Sequence, residues 1–164
     1  MLVDVNLKLL DDAACVVSSL HDRTYTEPTL GGQRVGAQLR HVIEFYESFL
    51  DGLTGPSIDY DARKRDVSIE QSRSAALARI ESLKRRLSVL EWGDGDIPLR
   101  VVAEDAPEYS MWSTVCRELQ ALRSHTIHHF AVIAMALHAW GIPVDPNFGV
   151  APSTLAARAA AKAA

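Results

Sequence analysis

The segment SHTIHHFAVIAMALHAWG, residues 124–141, places His125, His128 and His129 inside an otherwise apolar run. Imidazole is a ligand for zinc, nickel, copper and iron. Residues four apart stack on one face of a helix, so His125 and His129 form an H-x-x-x-H pair whose rings can reach a common ion. A first-row ion needs at least three ligands, so one more must arrive from elsewhere. His21 and His41 are the choices for a third imidazole. His41 lies in a helix interior, which fixes a ring more firmly than the frayed helix end that carries His21. Glu118, seven residues before His125, shares its side of the helix. It can orient an imidazole N–H or act as a general base, and an ordinary ion pair with Arg40 is the competing role. Arg40 and Arg123 are further candidates, for meeting an anionic substrate. His128 points outward, and His21 and His138 read as structural.

These side chains need helices to hold them. Residues 3–20 carry Val5, Leu9, Ala13, Val16, Val17 and Leu20 at helical spacing. The polar stretch HDRTYTEPTLGGQ reads as a loop. VGAQLRHVIEFYESFLDGL then reads as a second helix ended by Gly52, Gly55 and Pro56. SIDYDARKRDV is a charged connection. A third helix opens at Ser68 and Gln71, which have capping-box spacing, and repeats Ile69, Ala76, Leu83 and Leu90 until Gly93 and Gly95 stop it. Arg73 breaks its second apolar series. Leu99 and Val101 alternate with Arg100, which suits a short hairpin. A fourth helix starts near Ser113 or Thr114 and runs to Gly141, and the Ala-rich tail of residues 151–164 suits a short helix of its own. Phe45, Tyr46, Phe49, Phe130 and Trp140 read as core. The pattern predicts a single all-α domain over residues 1–164. Its architecture is an antiparallel four-helix bundle, with the hairpin before the fourth helix and the short terminal helix as additions.

Composition narrows the function classes. Lys and Arg total 17 against 21 Asp and Glu, a net charge of −4 with no basic stripe, which argues against nucleic acid. No apolar run is long enough to span a bilayer. The first residues carry Asp4, Asp11 and Asp12 among apolar ones and read as an amphipathic helix, not a leader. Cys15 and Cys116 form no C-x-x-C pair and read as buried thiols in a reducing cytoplasm. Neither is placed as a nucleophile, so an external thiol or water is the better candidate.

The pieces VGAQLRHVIEFYESFLDGL and RELQALRSHTIHHFAVIA, with IDYDARKRD and NFGVAPSTL, resemble the DinB-like (DinB/YfiT) superfamily over about residues 35–155. The resemblance implies a four-helix bundle with one divalent ion on three histidines, which carries over as His41, His125 and His129. Zinc or nickel suits such a site first, with iron or manganese as alternatives. Some members of that superfamily are thiol transferases using a low-molecular-weight thiol, and others look like hydrolases. The resemblance thus implies a metal-dependent transferase or hydrolase of a small-molecule substrate, in a homodimer. The competing classes are a metal-binding module without catalysis and a helical interaction domain.

Overall fold

The computed structural model describes residues 2–29, 31–90 and 96–163. Helix α1, Leu2–Ser19, turns Asn6, Leu10, Ala13 and Val17 inward at three- to four-residue spacing. The expected first loop holds a short helix, α2, Asp22–Thr26, because Tyr25 is fully buried and its hydroxyl donates to the Ile69 carbonyl at 2.7 Å. Helix α3, Val35–Gly52, buries Leu39, Val42, Ile43, Tyr46, Phe49 and Leu50.

The expected third helix is divided into α4, Val67–Gln71, and α5, Arg73–Ser88. Ser72 between them is extended, with φ −141° and ψ 115°, and its side chain accepts from the Ala75 N–H as an N-cap. Asp66 caps α4 by accepting from the Ser68 N–H, so the Ser68–Gln71 capping box does not form. Arg73, the residue that breaks the apolar series, reaches back to Asp22 at 2.6 Å and to the Leu20 carbonyl, satisfying groups at the end of α1. The stop expected at Gly93 and Gly95 lies outside the described residues.

Strands β1, Pro98–Ala103, and β2, Ala106–Thr114, pair antiparallel, with Arg100 opposite Trp112 and Val101 opposite Met111. Asp105 turns the chain at φ 58°. Thr114 then caps α6, Val115–Ala139, by accepting from the Arg117 N–H. The last helix, α7, Pro152–Ala163, buries no residue.

Helix α1 packs on α5 and α6, and α3 packs on the same two. Their shared interior holds Leu10, Val17, Ile43, Phe49, Ile80, Leu119 and Ile133. Asn6 and Thr126 are polar groups inside it. Asn6 is fully buried, donates to the carbonyls of Leu2 and Leu119 at 2.9 and 3.2 Å, and accepts from the Tyr46 hydroxyl at 2.6 Å.

The expectation of an all-α antiparallel four-helix bundle is corrected. The described residues form seven helices and a two-stranded antiparallel sheet. The hairpin has further backbone work to do. The Ile58 N–H donates to the Arg100 carbonyl and the Val102 N–H donates to the Ile58 carbonyl, both at 2.8 Å, in a parallel bridge to β1. The connection after α3 is therefore docked. Gly52 permits this, since a Cβ there would stand 2.6 Å from Ile58 Cγ1. Cys15 is exposed and Cys116 half-buried, so neither is the buried thiol expected, and neither is in a disulfide. No described helix is long and apolar enough to cross a membrane.

Candidate metal centre

Helices α3 and α6 bring His41, His125 and His129 together, with ligand nitrogens within 4.8 Å of one another. His125 Nε2 lies 3.1 Å from His41 Nε2 and 3.1 Å from His129 Nε2. Two nitrogens bound to one ion at 2.0–2.1 Å are about 3.0 Å apart at octahedral angles and about 3.4 Å at tetrahedral ones. The donor set therefore fits a first-row divalent ion.

Proton accounting points the same way. His129 Nδ1 lies 2.5 Å from Gln38 Oε1, an acceptor, so the proton sits on Nδ1 and Nε2 is a bare lone pair. Gln38 is three residues before His41, on the same face of α3. With His129 Nε2 bare, only a proton on His125 Nε2 can relieve its contact with His125. One N–H cannot serve both neighbours well, so hydrogen bonding alone leaves the three-nitrogen cluster poorly satisfied. A cation satisfies all three. Among the described residues His125 Nδ1 is buried with no hydrogen-bond partner, so ring packing orients that side of the imidazole. Gln38→Leu should retain one ion per chain at saturation and bind it about 10- to 100-fold more weakly. Chelator competition measures this, and an unchanged affinity counts against the tautomer assignment.

Burial holds all three imidazoles neutral. It lowers His41 and His129 to about 4 and His125 to about 3, with neighbouring positive charge adding to the effect. The unfolded chain takes up these protons near pH 6.5, so between there and about pH 4 it binds more protons than the folded chain. The metal-free protein should lose stability as pH falls through that window. Urea midpoints at pH 7 and pH 5 test this, and His125→Phe should flatten the slope.

The surroundings come from residues that helical spacing did not mark. Phe45, expected in the core, stacks on His125 at 4.0 Å between centroids, and Tyr60 stacks on Phe45 at 5.1 Å. Arg63 lies over the Phe45 ring at 4.5 Å, with its Nε buried and lacking a hydrogen-bond partner among the described residues. Burial and the neighbouring Arg65 charge push the Arg63 pKa down. The alternation Ile58, Tyr60 in IDYD was the available signal for this wall.

Glu118 stands outside the nitrogen cluster. It is buried, accepting from the Tyr60 hydroxyl at 2.8 Å and from the Ser113 hydroxyl at 2.5 Å. Burial and this carboxylate push the Tyr60 phenol up. Arg40 pairs with Glu70 at 3.2 Å and not with Glu118. His128, His21 and His138 are exposed, and Arg123 lies on another face of α6, against α1.

No protein-family model matches the chain, and no solved structure matches it. The chain is similar to FK506-binding protein 5 of Rhizopus delemar, 34% identical over 102 residues. That alignment covers 60% of this chain and 26% of the relative. The chain spans about a quarter of the length of the curated relative it matches, and the FK506 in that protein's name describes that protein.

Proposed function

We propose that the chain is a metal-dependent enzyme of the DinB-like type, a transferase or hydrolase acting on a small molecule. Its divalent ion, zinc or nickel, is held by His41, His125 and His129. The observation that carries this reading is the meeting of three neutral imidazole nitrogens from α3 and α6, two of the contacts at 3.1 Å. When bound, such an ion acts as a Lewis acid and activates water or a low-molecular-weight thiol at neutral pH.

The chain's own groups then have distinct tasks. Gln38 holds the His129 proton on the nitrogen away from the cluster. Phe45 covers the His125 ring and limits water on that side. Arg63 supplies a positive charge beside the cluster, with its Nε lacking a hydrogen-bond partner among the described residues, which suits an anionic small molecule. Glu118 is a positioning residue, because its two oxygens hold Tyr60 and Ser113.

Metal analysis of protein purified without a histidine tag tests the reading. About one ion per chain is expected, together with metal-dependent turnover in a screen of ester, amide and thiol-transfer substrates. No ion after soaking in zinc or nickel overturns it, and a bound ion with no turnover across the screen favours the module without catalysis.

A further inference from the structure

A cavity of about 610 Å³ lies between α1, α6 and the chain that returns after α6. That volume is in the range of small-molecule sites. On α6 it is lined by Arg123, Ile127 and Phe130, which at 100° per residue face about 160° away from His125. It is thus separate from the histidine cluster. On α1 its lining runs from Val5 to Ser19, a length of about 21 Å along the helix.

The outer wall is fixed. Phe148 stacks on Phe130 at 4.4 Å between centroids. Gly149, at φ 73°, lies so close to the Ala131 backbone that no Cβ fits there. The cavity therefore persists as a shaped groove and is not closed by collapse of the tail.

Its charged lining is Lys8 and Arg123 with Asp12 and Asp145. Lys8 is paired with Asp12 at 3.3 Å. The Asp145 carboxylate accepts from the Asn147 N–H at 2.7 Å. Arg123 has no hydrogen bond or ion pair among the described residues, and its Nε is buried without a partner. An elongated apolar groove with one unsatisfied guanidinium calls for an amphiphile with one anionic end.

We propose that this groove binds a medium-chain carboxylate, its headgroup on Arg123 and its hydrocarbon against Leu9, Val16, Ile127, Phe130 and Phe148. Charge complementarity at Arg123 selects this occupant over a neutral lipid or a second copy of the chain.

Cys15 is exposed and lines the groove, and Cys116 lies outside its lining, so the pair gives a built-in reporter. Iodoacetamide labelling of the intact chain, read by peptide mass spectrometry, is followed against decanoate concentration. The proposal expects saturable protection of Cys15, about tenfold or more in rate, with Cys116 unaffected. Arg123→Gln should raise the half-protecting concentration at least tenfold, and Arg123→Lys should restore most of it. Ile127→Trp, which fills the groove, should remove the protection. Absence of protection overturns the proposal, as does equal protection by decanol or by decanoate with Arg123→Gln. A Cys15 already unreactive without ligand, in a particle of twice the chain mass, assigns the groove to a second copy and also overturns it.

Discussion

His125→Ala abolishes stoichiometric metal retention, the largest functional effect expected of any single substitution here. His125 Nε2 is the shared neighbour, 3.1 Å from the nitrogens of both His41 and His129. Its loss leaves two imidazoles, below the three that a first-row site needs. Affinity should fall by more than about 100-fold, beyond what losing an orienting neighbour costs. Stability should separate the same two states. At metal 1,000 times its dissociation constant, binding adds about 4 kcal/mol to the folded wild-type chain. His125→Ala should gain almost none of this, while the exposed His128→Ala should gain all of it. Metal content after dialysis and thermal midpoints with and without zinc measure both effects. Full occupancy in His125→Ala would remove the cluster from consideration as a metal centre.

Asn6→Ala should give the largest loss of stability among polar substitutions, about 2–4 kcal/mol. Asn6 is wholly buried where α1, α3 and α6 meet, and its removal withdraws the acceptor of the Tyr46 hydroxyl and a donor to the Leu119 carbonyl. The Tyr46 hydroxyl is left without its acceptor, which costs about 1–3 kcal/mol, and loss of the extra bond to the Leu119 carbonyl, which keeps its helical partner, adds about 1 kcal/mol. Thr126 remains 3.4 Å from the Tyr46 hydroxyl, too long to replace the 2.6 Å bond. Tyr46→Phe should cost less than Asn6→Ala, because it strips only the Asn6 carbonyl oxygen. Urea denaturation of the metal-free proteins gives the ranking, and equal losses would show that the Leu119 carbonyl bond contributes nothing.

The helices were legible in the sequence because burial on one face imposes a 3.6-residue recurrence. That recurrence placed His41, His125 and His129 on helices, and local spacing explains the pair on α6. It did not show that α3 and α6 would meet at those levels, which depends on packing. The recurrence of Ile69 and Ala76 ran across Ser72 without registering the extended backbone there, since caps at Asp66 and Ser72 act on single residues. Phe45 on the wheel resembles any core aromatic. Tyr60 and Arg63 sit in a polar stretch whose course is set by pairing Ile58 with a strand some forty residues later. Such pairing has no local signature. Spacing puts Glu118 on the His125 side of the helix, but its partners come from that distant stretch and from β2.

The bridge between Ile58 and β1 has a dynamic consequence. Two backbone hydrogen bonds at Ile58 tie the start of the connection bearing Tyr60 and Arg63 to the hairpin, which restrains both residues while the sheet stays closed. Breathing of the strands and access to the imidazoles then belong to one cooperative opening unit. Turnover at the proposed metal centre would inherit its gating rate from a hairpin that leaves Tyr109 and Trp112 exposed to solvent.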